Sequence, residues 1–588
     1  MPPRSSLRVL AAPQTALRRG ALPAAAWVGL VLAGCQPGTG PGLGHAGALS
    51  AAQPGTLQAC ESLTGSLNLP HTRIVSSERV PAGVVKQGDR PVPEHCLVKG
   101  RMHERQGADG RDYALGFEMR LPVAWSGRFY YQGNGGLDGV VQPALGALGG
   151  GPLTGALMQG FAVISSDAGH SGSQTPFFGL EPQARLDYGY QAVAKLTPMA
   201  KDLIRSAYGR APDRSYIGGC SNGGRHTLVA AARMGDQYDG YLAGAPGYRL
   251  PHAALAQLWG VQQWAPLATP GATAKHPLNP NASIPDLGTA FTAAERQTVA
   301  QAVLNKCDAL DGVRDGMVQA TQACQSAFSI DDVPTCTGER NGTCLSPAQK
   351  QAVAAVHAGG RTPNGQAIYS AFPWDPGVAG HNWALWKFAN AVALDPLSVG
   401  TVFTVPPAGK VDPLTADVSA LLAQFSASNE TYRESGLALM TPPGHDNPVN
   451  LTPLRERGAK MVIYHGVSDA IFSSEDTRQW MERLNRAQGG RADDMARYFM
   501  VPGMNHCSGG SATDQFDLLS SLVQWVEQGI KPQAVLAQAR GAGNAGGINT
   551  ELPAAWSAQR SRPLCAYPTT ARYKGSGAVE AASSFVCQ

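Results

Sequence analysis

Charge is scarce in this chain. Only 15% of its 588 residues are Asp, Glu, Lys or Arg, the formal net charge is +4, and no long basic run occurs. That excludes the clustered basic face by which proteins hold nucleic acid. After the first thirty-odd residues no apolar stretch approaches the ~20 residues needed to cross a bilayer, so no internal membrane span is expected. No C-x-x-C pair of zinc type is present, and no internal repeat. What remains is a long, moderately apolar chain, 43% hydrophobic, with ample material for a large core. A chain beyond roughly 250–300 residues usually divides, so two domains or one domain with a large insertion are expected.

The opening segment has a targeting pattern. Arg4, Arg8, Arg18 and Arg19 precede an apolar run over residues 21–32, with Ala33 and Gly34 after it. A basic flank, a short apolar stretch and a small-residue exit describe a secretory signal. Leu32-Ala33-Gly34-Cys35 also has the form of a bacterial lipobox, in which Cys35 is lipidated. Two expectations follow, an outer-membrane lipoprotein and a simply secreted protein, with the membrane touched only through that N-terminal lipid. Removing Cys35 from the eleven cysteines leaves ten, an even number that fits five disulfides in an oxidising compartment.

The chain divides by pattern into residues 1–35 as signal and lipobox, a Gly- and Pro-rich tether over 36–55, a sheet domain from 56–248 and 456–588, and an inserted segment over 249–455. Short β-rich runs at 128–131, 161–165, 215–218, 461–464 and 498–501 alternate with helical stretches at 188–207, 225–234 and 514–527. Such alternation predicts an α/β fold with a largely parallel sheet and helices on both faces. The region 249–455 breaks the rhythm with Pro, Gly, Asn and Trp, and reads as an insertion.

Gly219-Cys220-Ser221-Asn222-Gly223 lies between a predicted strand and a predicted helix. In that setting G-x-S-x-G is a nucleophile elbow, and the expected architecture is an α/β-hydrolase fold with a large inserted lid domain. Serine needs a base, and the base needs an orienting acid, in the chain order Ser, Asp, His. Asp469 follows the strand at 461–464 and His506 follows the strand at 498–501, so Ser221, Asp469 and His506 are the expected nucleophile, acid and base. Cys220 and Cys507 neighbour the nucleophile and the base, and a disulfide between them would hold the two loops together. The oxyanion donors are expected at the N–H of Asn222 and in the loop Gly133-Asn134-Gly135-Gly136.

Cys220-Ser221, Asp469 and His506-Cys507, with Tyr464-His465-Gly466, Gly503-Met504-Asn505-His506 and Ala243-Gly244-Ala245-Pro246-Gly247, resemble the tannase and feruloyl esterase family over nearly the whole mature chain. Met504-Asn505-His506-Cys507-Ser508-Gly509-Gly510 and the tail at 571–577 are most similar to its terephthalate-monoester branch. The resemblance implies an ester hydrolase acting on small aromatic-acid esters, working as a monomer. It implies mono(2-hydroxyethyl) terephthalate as substrate, or hydroxycinnamoyl and gallate esters as the close competitors. It implies the pairings Cys60–Cys96, Cys220–Cys507, Cys307–Cys324, Cys336–Cys344 and Cys565–Cys587, and points to Gly136 as second oxyanion donor. A serine peptidase and a binding lipoprotein without chemistry are the rival readings.

Residues 307–317 space three carboxylates with two glycines, a donor set of hard oxygens suited to Ca²⁺. The resemblance implies a structural calcium here, held by Asp308, Asp311 and Asp315 and the carbonyls of Val313 and Met317. Trp383, Trp386, Phe388 and Phe403 supply lid aromatics that could sandwich a planar acyl group. By resemblance Phe472, Ser398 and Phe403 join Trp386 as substrate contacts. The terephthalate branch grips its substrate's carboxylate with a lid arginine. Asn390 stands at that place, no arginine lies between Arg361 and Arg433, and Lys387 and Lys410 are the remaining cations.

Overall fold

The computed structural model describes residues 48–147, 155–444 and 451–588. The signal and Cys35 lie outside the described residues, as does the tether up to residue 47. The described residues form one compact unit.

Its frame is a mixed sheet of nine strands. In chain order they are β1 (Thr72–Val80), β2 (His95–Gln106), β3 (Asp112–Pro122), β4 (Arg128–Gly133), β5 (Ala162–Ser166), β6 (Arg214–Cys220), β7 (Gly240–Gly244), β8 (Lys460–Gly466) and β9 (Ala496–Val501). Across the sheet the order is β9-β8-β7-β6-β4-β5-β3-β2-β1. From β9 to β5 every neighbouring pair is parallel; β3, β2 and β1 then extend that edge antiparallel. The expected parallel sheet is therefore only two-thirds of the observed one. Its antiparallel edge is written in strands such as Thr-Arg-Ile-Val-Ser-Ser-Glu-Arg-Val, whose charges face solvent and hide the strand in a search for apolar runs.

The parallel strands alternate between two separate cores, the period-2 consequence of a pleated backbone. Phe129, Tyr131, Ile164, Ile217, Tyr241, Met461 and Ile463 enter one apolar cluster, and Tyr130, Val163, Tyr216, Leu242, Val462 and Tyr464 enter the other. Helices α1 (Ala192–Tyr208) and α2 (Asn222–Arg233) cover the first face through Leu196, Leu203 and Leu228. A later helix, Leu518–Gln528, covers the second through Leu522 and Trp525.

Among the described residues, the chain between β7 and β8 adds no strand to the sheet. It builds helices α3 (Leu250–Trp264), α4 (Ala293–Cys307) and α5 (Pro347–His357) around an apolar cluster of its own, with Trp264, Phe291, Val303, Val353, Trp383 and Phe388 inside. Other parts of the same segment, Phe403 and Phe425 among them, join the sheet's first core. All five disulfides pair as the resemblance implies, joining Cys60–Cys96, Cys220–Cys507, Cys307–Cys324, Cys336–Cys344 and Cys565–Cys587. Such a set marks an oxidising compartment. Among the described residues no helix is long and apolar enough to cross a membrane.

The expected tether over 36–55 is too long at its far end. Leu49 N–H donates to the Val526 carbonyl at 2.8 Å, and Ala52 is buried with its N–H on Glu527 at 2.9 Å. Small residues let the backbone lie flat on the body here, so low side-chain content does not mean free chain.

Candidate active site

β6 ends at Cys220 and α2 begins at Asn222, leaving Ser221 alone to turn the chain. It does so at φ 65° and ψ −124°, a region that costs a non-glycine residue on the order of 1–3 kcal/mol. The flanking glycines have a steric reason. A Cβ on Gly219 would lie 2.3 Å from the Gly133 carbonyl oxygen, and one on Gly223 2.2 Å from the same atom. The elbow can therefore close against β4 only if both positions lack side chains. The Ser221 N–H is held by the Gly244 carbonyl at 2.9 Å.

Ser221, His506 and Asp469, 285 and 37 residues apart along the chain, form one hydrogen-bonded line. His506 Nε2 lies 2.8 Å from Ser221 Oγ, and His506 Nδ1 lies 2.7 Å from Asp469 Oδ2. With the carboxylate accepting, Nδ1 carries the proton, which leaves Nε2 free to accept from the serine hydroxyl. Asp469 is buried, and its Oδ1 accepts from the N–H groups of Ile471 at 2.9 Å and Phe472 at 3.0 Å. Burial pushes this carboxyl up, but the His506 and His465 imidazoles beside it outweigh burial and hold it well below the usual carboxylate range.

His465 is the residue that sequence reasoning left without a role. Its Nε2 is 3.0 Å from the Phe472 carbonyl and 3.3 Å from Asp469 Oδ2, both acceptors, so this nitrogen carries the proton. Its Nδ1 faces the Thr477 hydroxyl at 2.9 Å. The signal in the sequence was its place at the end of β8, four residues before the acid.

The Cys220–Cys507 disulfide joins the residues next to Ser221 and His506, with Cα atoms 6.0 Å apart. Cys507 takes φ 64° to reach it. Of the four expected pocket residues, two lie against the His506 ring: Trp386 at 5.5 Å between centroids and Phe472 at 5.3 Å, both edge-on. Phe472 packs onto Gly247, where a Cβ would meet the ring at 2.5 Å. Ser398 instead donates its hydroxyl to the Leu394 carbonyl at 3.1 Å, and Phe403 is buried in the sheet's core. Lys387 is buried with its ammonium 3.5 Å from the centre of the Phe372 ring, Lys410 is exposed, and Asn390 is buried. Burial pushes the Lys387 ammonium down to about 7.

Gly136 sits exposed in the loop after β4 at φ 63°, and Asn222 opens α2, where the first N–H groups have no acceptor within the helix. Asn222 thus directly follows Ser221, and Gly136 lies in the loop after β4, whose last residue Gly133 packs against Gly223.

The acidic loop is a separate place. Asp308 Oδ1 accepts from the N–H groups of Asp315 and Gly316, at 3.0 and 3.1 Å, and Asp315 pairs with the buried Arg562. Among the described residues no three His, Cys, Asp or Glu side chains converge on one point closely enough to hold a metal ion. One atom is out of balance. Asp311 Oδ2 is buried without a hydrogen-bond partner, and burial with the charges of Asp315 and Asp308 pushes that carboxyl up to about 7. A buried, crowded carboxylate with an unused oxygen fits an oxygen-seeking cation by donor chemistry.

A profile of the family described as tannase and feruloyl esterase matches residues 96–588. The chain belongs to that family. It is 37% identical over 538 residues to mono(2-hydroxyethyl) terephthalate hydrolase of Piscinibacter sakaiensis, covering 84% of this chain and 85% of that one. It is 25% identical over 562 residues to a probable feruloyl esterase B of Emericella nidulans, covering 88% and 92%. The crystal structure of feruloyl esterase B from Aspergillus oryzae superposes with a TM-score of 0.71 at 24% identity, covering 90% of this chain and 99% of that one. That likeness establishes the family's mixed α/β fold for this chain.

Proposed function

We propose that this protein is an exported serine ester hydrolase of the α/β-hydrolase type that cleaves esters of small aromatic acids. The observation that carries the reading is the unbroken line from Asp469 through His506 to Ser221 at 2.7 and 2.8 Å. Ser221 Oγ attacks the ester carbonyl while His506 Nε2 takes its proton, and Asp469 stabilises the imidazolium. The N–H groups of Asn222 and Gly136 receive the oxyanion. His506 then returns the proton to the departing alcohol, and water, activated by the same imidazole, releases the aromatic acid from Ser221.

The segment between β7 and β8 acts as the lid. Trp386 and Phe472, edge-on to His506, flank the planar acyl group. Of the aromatic esters, mono(2-hydroxyethyl) terephthalate, giving terephthalate and ethylene glycol, is the first candidate, favoured by the similarity to the hydrolase of that ester. Selectivity for its free carboxylate is weak, because Lys387 points its charge at Phe372 and no arginine lies between Arg361 and Arg433 to replace it. Feruloyl and gallate esters are the second reading, favoured by that missing cation. Asp308, Asp311, Asp315 and the carbonyls of Val313 and Met317 would hold a calcium ion, whose charge would brace the loop and take no part in the reaction. A lipid on Cys35 is the proposed anchor, and the protein acts as a monomer.

The test is kcat/KM for mono(2-hydroxyethyl) terephthalate, methyl ferulate and methyl gallate, with Ser221→Ala as control. Hydrolysis of at least one ester that Ser221→Ala abolishes is expected. Turnover retained in Ser221→Ala, or peptide cleavage exceeding ester cleavage, contradicts the reading.

A further inference from the structure

The carboxamide of Asn222 stands where two elements meet. Its backbone N–H opens α2 one residue past Ser221, and its side chain crosses to the loop that carries Gly136. Asn222 Nδ2 donates to Asp138 Oδ1, with its second hydrogen toward His226 Nε2 at 3.2 Å. Asn222 Oδ1 accepts from the Tyr188 hydroxyl at 3.1 Å and from Arg225 Nε at 2.6 Å. The Tyr188 hydroxyl also reaches the Gly136 carbonyl at 3.4 Å. Asp138 closes the turn around Gly136, its N–H donating to the Gly135 carbonyl at 3.2 Å. Arg225 is tied in turn to the carbonyls of Gly189 at 2.8 Å and Tyr188 at 3.0 Å.

The partners dictate which way the amide points. Its oxygen faces a guanidinium and a phenol, both donors, and its nitrogen faces a carboxylate, an acceptor. The reverse orientation would set oxygen against carboxylate and NH₂ against guanidinium. Asn222, Arg225, His226 and Tyr188 are all at most 3% exposed, and the Asp138 side chain is 3% exposed. In such surroundings a satisfied network is rigid and an unpaired end is expensive.

We infer that Asn222, through its side chain, and Asp138 are positioning residues for the oxyanion hole. Their hydrogen bond bolts the Gly136 turn to the start of α2 and so sets the spacing of the two backbone N–H groups that receive the oxyanion. This rests on the serine-esterase reading above. It explains why the residue after the nucleophile carries a group with a donor and an acceptor: a carboxylate there would meet Asp138 with like charge, and an apolar side chain would strand both Asp138 and Arg225.

The experiment compares kcat, KM and affinity for an aryl boronic acid, whose adduct with serine mimics the tetrahedral intermediate, using p-nitrophenyl butyrate at pH 8. Ser221→Ala must first abolish turnover; if it does not, the serine reading itself fails, and this inference with it. Given that control, Asn222→Asp lowers kcat on the order of 10²-fold, the scale of a misplaced reacting group, with KM little changed and boronic acid affinity falling alongside kcat. The exchange Asn222→Asp with Asp138→Asn reverses the hydrogen bond while keeping an acceptor for Arg225 and Tyr188, and it recovers most of the loss. Tyr188→Phe, which keeps the packing, lowers kcat and boronic acid affinity together, and decides the matter should Asn222→Asp fail to fold. Wild-type kcat in Asn222→Asp or in Tyr188→Phe, or a double variant no better than the folded single one, overturns the inference.

Discussion

Asp469 accepts four contacts with two oxygens: two backbone N–H groups on Oδ1 and two imidazoles on Oδ2. That arrangement holds the carboxylate ionised and aimed, so that one proton stays on His506 Nδ1. Asp469→Asn keeps the shape and loses the charge. A kcat fall of about 10⁴-fold is expected, as when other serine hydrolases lose this carboxylate, with KM moving far less. The same variant has a signature in stability. A carboxyl whose pKa is depressed on folding contributes stability that is fully present above its unfolded value and lost as pH falls toward its folded one. Chemical denaturation of wild type and Asp469→Asn is therefore expected to differ most near neutrality and to converge below about pH 4, the unfolded aspartate value. At this scale the sequence was legible where chain order carries meaning: a glycine-flanked serine after a strand, then an acid and a base after later strands. It was silent about His465, Asp138, Tyr188 and Arg225, because what each does depends on a partner brought near only by folding. The two pocket residues Ser398 and Phe403 show the same gap, since a sequence position says nothing of whether a side chain faces the site or the core.

Elements set the distances between those residues. β6 delivers Ser221, the loops after β8 and β9 deliver Asp469 and His506, and Cys220–Cys507 ties the first to the last across a separation of 287 residues. Replacing both cysteines by serine is expected to lower stability by about 2–4 kcal/mol, measured by denaturant unfolding, and to reduce kcat because the Ser221–His506 distance is no longer restrained. Wild-type kcat in a less stable variant would show the bond to be a staple with no part in positioning. The parallel strands were legible as apolar runs because both faces are buried. β1 and β2 were not, because a half-exposed antiparallel edge mixes Arg, Glu and Lys into its pattern, and β3 was not, because buried Glu118 and Arg120 interrupt its apolar run. β7 escaped notice too: two of its five residues are glycines, one of them making room for the Tyr464 ring.

At the scale of the whole molecule, five disulfides and an acidic loop act where apolar packing is divided among several cores. The loop at 308–317 follows α4 directly and borders the Cys307–Cys324 bridge. If it holds calcium, chelation lowers the melting temperature and leaves kcat at permissive temperature unchanged, and Asp311→Ala removes the response to added calcium; differential scanning calorimetry with and without EGTA reads both. A melting temperature indifferent to EGTA would contradict the calcium assignment and leave the esterase reading standing. The segment 249–455 was legible as a break in strand rhythm; that parts of it are built into the sheet's own core through Phe403 and Phe425 was not.

The central claim is that one serine of this chain is made nucleophilic by His506. Mass spectrometry of the protein after exposure to a fluorophosphonate probe tests it most directly. The account predicts a single adduct, mapped to Ser221, abolished in Ser221→Ala and slowed by orders of magnitude in His506→Ala. No adduct on the folded protein, or an adduct on another residue with Ser221 unmodified, would contradict it.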